Sequence, residues 1–465
     1  MSPHASPFWR RLLALVLPIA ILACRDDPTA PANAPVEVPR FKPEPPDAAL
    51  ITAVRALAVS RGIGRLPGPP RVRTPLVLLG QALVFDPILS GNRDISCATC
   101  HLPGFATSDG RSLAIGQGGS LLGPARTHAQ GTFIPRNAPP LFNMSGMQSV
   151  FWDGRVEREA SGSIRTPAGS QIDPSMNAVF EFGAISALGM FPVMNRAEMR
   201  AGSGNELAAI PDDRPRDIWN ALMRRLGAYA EYRDLFLSAY PGTRWESMTF
   251  AHASNAMAAF FVDQFSFADS PWDRFLAGQD AALTPEQLLG AQTFLTLKCS
   301  ICHSGATLSD QQFHNVAVAQ IGPGQGNGAS LRDDFGRENV TGLLSDRYRF
   351  RTTPLRNVEL TAPYGHDGAI MGLRDFVEHY SESHLKLMTY DPGQLEPLLR
   401  GTVVDNKADI LANRDPLLEG VVLPSDLVDK LMGYMLALTD DRARDMSKFV
   451  PTRVPSGLPV GLPRR

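Results

Sequence analysis

Cysteine is scarce in this chain: 465 residues hold five, and four of these fall in two short runs, which leaves Cys24 alone. A disulfide framework is therefore excluded. Charge of either sign is not in excess, with 45 Lys and Arg against 47 Asp and Glu and a formal net charge of −2. The clustered basic surplus of a nucleic-acid binder is missing, and no nucleic-acid partner is expected. The N-terminal apolar stretch, residues 12–23, is 12 residues long, too short to cross a bilayer. No sustained alternation of polar and apolar residues marks a strand, so the fold is expected to be mainly α. With 44% hydrophobic residues, the chain can build two or three domains with sizeable cores.

The two cysteine runs are Cys97-Ala98-Thr99-Cys100-His101 and Cys299-Ser300-Ile301-Cys302-His303. In a C-x-x-C-H run the thiols are spaced to bond the two vinyl groups of one haem, and the adjacent imidazole supplies an iron ligand. Cys97, Cys100 and His101 are thus assigned to one covalent c-type haem, and Cys299, Cys302 and His303 to a second. A zinc site pooling both pairs is open on spacing alone, but it leaves the histidine after each pair unexplained. Nearly 200 residues separate the runs, which predicts one haem per domain.

Residues 1–23 read as an export signal, with Arg10 and Arg11 ahead of the apolar stretch. The ending Leu22-Ala23-Cys24 resembles a bacterial lipobox, which would place a lipid anchor on Cys24 and the protein at a membrane facing the periplasm; an ordinary secretory signal is the alternative. Residues 24–46 hold seven prolines and read as a tether. A first haem domain is expected over 47–275, a second over 276–450, and a loose tail over 451–465.

Helices are predicted from Asp47 as a cap, over residues 76–85, 216–240, 249–265 and 427–438, and from the capping box Thr284-Pro285-Glu286-Gln287 towards Cys299. Leu373, Phe376, Val377 and Tyr380 follow i, i+3, i+4, i+7 spacing and share one helix face. Residues 102–140 are rich in Gly, Pro and Ser, as expected of loop around a cofactor.

Further motifs come in a fixed order: Arg136-Asn137-Ala138-Pro139, then Phe151-Trp152-Asp153-Gly154-Arg155, then the segment from Leu355 through Tyr364-Gly365-His366-Asp367-Gly368. Together with the two haem runs they resemble the bacterial dihaem cytochrome c peroxidase and MauG family over roughly residues 75–440. The resemblance implies two cytochrome c-like helical domains with long loops, a peroxidatic haem in the N-terminal domain and an electron-transfer haem in the C-terminal one.

Residue by residue it implies more. Where the family's peroxidases place a distal histidine, sixteen residues after His101, this chain has Gln117; an open sixth position at the first haem is expected, with His128 as the alternative ligand. Fourteen residues after His366 stands Tyr380, at the register where MauG-like members ligate the second haem through tyrosine; Met371 and His384 are competing ligands, and a plain core tyrosine is the other reading. The stretch ending Glu198-Met199 resembles the catalytic loop and gives Glu198 the acid–base role, with Gln117 as a possible second polar group because Leu188 stands where the family has glutamine. Trp152 matches the tryptophan between the haems. Asn137, Thr361 and Pro363 match the ligands of a calcium ion.

The expected activity is a MauG-type peroxidase: hydrogen peroxide reacts at the N-terminal haem, and oxidising equivalents pass through Trp152 to a tyrosine-ligated C-terminal haem. Two alternatives stay open. One is a cytochrome c peroxidase fed by a small redox-protein donor, the other a dihaem cytochrome that only transfers electrons.

Overall fold

The computed structural model describes residues 47–129 and 132–460. The expected export signal, the tether and Cys24 lie outside the described residues. The fold is carried by helices α1 Ala48–Ser60, α2 Thr74–Phe85, α3 Pro215–Gly227, α4 Ala230–Ala239, α5 Phe250–Gln264, α6 Pro285–Thr296, α7 Leu373–His379 and α8 Ser425–Ala437. Their starts are written locally. The Asp47 carboxylate accepts the Ala49 N–H at 2.9 Å, Pro75 stands in the first turn of α2, and at α6 Gln287 N–H donates to Thr284 Oγ1 at 3.3 Å while Thr284 N–H donates to Gln287 Oε1 at 3.0 Å. The aromatic stripe of α5 is core: Phe250, Met257, Phe260, Phe261 and Phe265 are all buried.

Helices pack in pairs through glycine. α2 meets α5 at Gly80, where an added Cβ would stand 1.9 Å from Ala256 O, and α6 meets α8 at Gly290, 2.0 Å from Lys430 O. Only hydrogen fits at these crossings. One hydrophobic cluster forms around α2 and α5 with α3 and α4. A second joins α6 and α8 with Ile51, Val54 and Ala58 of α1 and with Trp272 and Phe275.

The packing cuts across the boundaries drawn from sequence. α1 falls in the 47–275 segment, yet its apolar face joins the cluster of α6 and α8. The C-terminal stretch crosses the other way. Val454 is 1% exposed within the first cluster, Ser456 Oγ donates to Asp86 Oδ1 at 2.6 Å and Gln81 Nε2 donates to Phe449 O at 2.8 Å. The expected loose tail is therefore corrected for residues 451–460, because apolar side chains there find a surface to bury against.

Strands are short. β1 Ser149–Val150, β2 Val156–Arg158 and β3 Ile164–Arg165 form an antiparallel sheet in chain order, with Val150 opposite Val156. β4 Phe313–His314 pairs antiparallel with β5 Phe350–Arg351, Phe313 opposite Arg351. Strands of two or three residues are too brief to leave an alternation in sequence. Among the described residues of 102–140, regular structure is limited to two single 3₁₀ turns, at Pro103–Phe105 and Gly123–Ala125.

Candidate haem cavities

Each C-x-x-C run forms one helical turn, Cys97–Cys100 and Cys299–Cys302, the second reached two residues after α6. A cavity of about 930 Å³ is lined by Cys97, Cys100 and His101. A second, of about 440 Å³, is lined by Cys299, Cys302 and His303. The two thiol pairs lie on different cavities and do not pool, which removes the zinc alternative. Burial pushes the Cys97 thiol up to about 12 and the Cys299 thiol up to about 11.

Both histidines are set up to present one nitrogen. His101 Nδ1 lies 2.9 Å from Thr107 O and His303 Nδ1 lies 3.1 Å from Leu308 O. A carbonyl partner requires the proton on Nδ1 and leaves Nε2 as the lone-pair nitrogen. Burial lowers the pKa of each, that of His303 to about 4, which keeps the imidazoles neutral. Two thiols and one oriented neutral imidazole on each cavity fit a covalently held haem in each.

In the second cavity the apolar stripe of α7 becomes wall: Leu373, Phe376, Val377 and Tyr380 all line it. Among the described residues no group hydrogen-bonds the Tyr380 hydroxyl, and burial holds its pKa well above the usual phenol range. Met371 and His384, the competing ligands, are exposed and do not line this cavity. His366 does; its ring stacks on Phe350 at 3.7 Å between centroids.

In the first cavity His101 is the one imidazole among the lining residues, accompanied by the methionines 144, 147, 194, 199 and 257. His128 does not line it. Glu198 does, on a π-helical turn, Arg196–Arg200, whose cap Asn195 accepts from Ala197 N–H at 2.9 Å and Glu198 N–H at 3.1 Å. Burial raises the Glu198 pKa, with Arg155 and Arg136 opposing in part. Gln117 is brought beside this turn, its N–H donating to Ala197 O at 3.0 Å, but not into the cavity. Its side-chain amide donates to Asp94 Oδ1 at 2.6 Å instead.

Between the cavities stand Asn137, Pro140, Trp152, Arg351, Thr353 and Pro354, which line both. Trp152 Nε1–H donates to Asn137 O at 2.9 Å. Asn137 Nδ2 donates to Arg111 O at 2.8 Å and Ser112 O at 3.3 Å, which turns its Oδ1 away from those carbonyls. Thr361 and Pro363 lie on the second cavity with it.

Sequence reading missed the charges that brace this region. Arg136 donates from Nη1 to Asp153 Oδ2 at 2.6 Å, and from Nε and Nη2 to the Asp334 carboxylate at 2.6 and 2.8 Å, all buried. Burial alone would raise the Asp153 pKa, but Arg136 and Arg155 beside it hold the carboxyl at about 2. Arg136 and Asp153 each sit inside a family motif, and charge within those short apolar stretches was the available signal. Arg351 and Asp334 gave none.

Residues 74–281 match the family model described as di-haem cytochrome c peroxidase. Over 303 residues the chain is 31% identical to a cytochrome c551 peroxidase of Pseudomonas aeruginosa, covering 64% of this chain and 69% of that protein. It is 29% identical to the methylamine utilization protein MauG of Methylorubrum extorquens, covering 65% and 68%. Among solved structures, a MauG-like protein associated with microbial copper homeostasis superposes with a TM-score of 0.59 at 25% identity, over 84% of this chain and 98% of that one. A diheme peroxidase from Burkholderia thailandensis gives 0.53 at 22% identity, over 83% and 90%, a likeness of fold.

Proposed function

The chain belongs to the di-haem cytochrome c peroxidase family, and we propose that within it the protein works in the MauG manner, with one haem left open to hydrogen peroxide and the other closed by the Tyr380 phenol. The observation that carries this reading is the inequality of the two cavities. The one that His303 lines also offers a phenol without a hydrogen-bond partner, while His101 is the one imidazole of the other. Ligation would give that cavity-facing hydroxyl the partner it lacks within the chain.

When bound, the haems supply the redox chemistry of peroxide reduction. The chain supplies the rest. Glu198 would move a proton from one peroxide oxygen to the other, a task that suits a carboxyl whose pKa burial has raised. Trp152, on both cavity walls and held by its N–H on Asn137 O, is the aromatic ring through which an electron crosses. Asn137 Oδ1 and the Thr361 and Pro363 carbonyls, all on the second cavity, would offer neutral oxygens to a hard cation such as calcium. Gln117 keeps at most a supporting part, bracing the Glu198 turn from outside the cavity. Domain roles follow the same assignment: the peroxidatic centre on His101, the electron-transfer centre on His303. The periplasmic location and the Cys24 lipid anchor belong to this reading, and among the described residues no helix is long and apolar enough to cross a membrane.

The test is to mix resting protein with hydrogen peroxide, record Mössbauer and near-infrared spectra, and then offer candidate partners. Covalent change in a partner protein's Trp or Tyr supports the MauG manner. Steady turnover on a reduced small cytochrome or cupredoxin, without such change, returns the protein to donor-dependent peroxide removal.

A further inference from the structure

Arg351 is a buried cation with an unfinished set of partners. It ends β5, its N–H donates to Trp152 O at 2.8 Å, and its Nε donates to Phe151 O at 3.3 Å. The residue is 7% exposed, and Nη1 is buried with no hydrogen-bond partner. Other buried arginines are satisfied. Arg136 holds Asp153 and Asp334, Arg356 holds Asp273 at 2.7 Å, and Arg126, without a carboxylate, spends its nitrogens on the carbonyls of Ile115, Gly116 and Leu121. Burial pulls the Arg351 pKa down to about 10 and no carboxylate opposes it. A guanidinium taken out of water without a counter-charge is strongly disfavoured, and Arg351 lines both cavities. The space beside it therefore calls for an anion.

A haem brings its own anions, the two propionate carboxylates. We propose that Arg351 is the counter-charge for a haem propionate at the boundary of the two cavities, and that through this pair it positions that haem against the Trp152 segment and sets its reduction potential. The planar fork of arginine matches a carboxylate in bidentate fashion, which an ammonium cannot. A positive charge held there favours the reduced, less positive metal centre, so Arg351 raises the potential of the haem it touches. This inference rests on the presence of two c-type haems and not on the MauG manner of working.

The test compares the holoprotein with Arg351→Gln and Arg351→Lys, each checked for two haems by pyridine haemochrome, using resonance Raman spectra of the propionate bending region and spectroelectrochemical titration. Arg351→Gln is expected to shift a propionate band and lower the midpoint potential of one haem. Arg351→Lys is expected to shift the band while keeping the potential near that of the parent. Native bands and potentials in Arg351→Gln would overturn the proposal. So would a potential that follows added chloride or acetate with the propionate band unmoved, since Nη1 would then hold an anion from solution. If Arg351→Gln does not assemble, Arg351→Lys decides: a shifted propionate band supports the pairing and a native band refutes it. Neither readout uses peroxide, so failure here leaves the proposed function standing.

Discussion

Replacing Glu198 with Gln separates two consequences of one half-buried carboxyl on the cavity wall. The side chain keeps its shape and loses its proton chemistry, so the second-order reaction with hydrogen peroxide, followed by stopped-flow at the Soret band, should slow by about 10²–10⁴-fold. That corresponds to about 2.7–5.4 kcal/mol of barrier. Burial has raised the Glu198 pKa above its ordinary value. The parent rate should therefore fall as pH is lowered through that raised pKa, as the base becomes protonated, and the variant should show no such limb. Stability should move the opposite way. Between the ordinary and the raised pKa the native state binds more protons than the unfolded chain, so the parent loses stability as pH rises through that window, by about 1.4 kcal/mol for each tenfold difference in proton affinity between the two states. Gln carries no such cost, and the variant should melt at a higher temperature than the parent at neutral pH with equal stability at low pH. An unchanged peroxide rate in a variant holding both haems would remove Glu198 from the reaction. A variant less stable at neutral pH would refute the electrostatic argument.

If the phenol closes the second haem as proposed, exchanging Tyr380 for Met puts a potential-raising thioether in its place and that haem should titrate at a higher midpoint; an unmoved midpoint means the phenol does not touch the metal. Arg136→Leu strands the Asp153 and Asp334 carboxylates in the interior and should cost about 3–5 kcal/mol in thermal or denaturant unfolding. In the parent this pair has a pH signature: with Asp153 held at about 2, its contribution is complete above the ordinary Asp range, near 4, and is lost as pH falls from there through 2, a slope that Arg136→Leu should flatten. Gly290→Ala sets a methyl 2.0 Å from Lys430 O, a backbone atom, so α6 and α8 must separate and the protein should lose about 1–3 kcal/mol.

What the sequence made legible was what chemistry forces to be contiguous. The thiols and histidine of a haem run must be neighbours in the chain, so Cys97 to His101 and Cys299 to His303 needed no structure. The stripe ending at Tyr380 was legible from spacing; it lines the second cavity while Leu373, Phe376 and Val377 also pack against hydrophobic clusters. Contacts between distant segments were not. Nothing local to Gln117 announces that its amide reaches Asp94, 23 residues earlier. The Arg136 to Asp334 pair spans 198 positions. The proline-rich stretch beyond residue 450 looks like a free end because the cluster that takes in Val454 is built mostly from segments far away in the chain. Arg351 is the extreme case, since what marks it is a missing partner, and a missing partner has no spelling.

Two unequal iron centres should be visible together in EPR of the as-isolated, fully oxidised protein, which reads both axial ligand sets at once. One high-spin ferric signal from the His101 centre beside one low-spin signal from the His303 centre, the latter altered in Tyr380→Met, is the predicted result. Two low-spin signals, with an imidazole or one of the lining methionines closing the first centre, would contradict it.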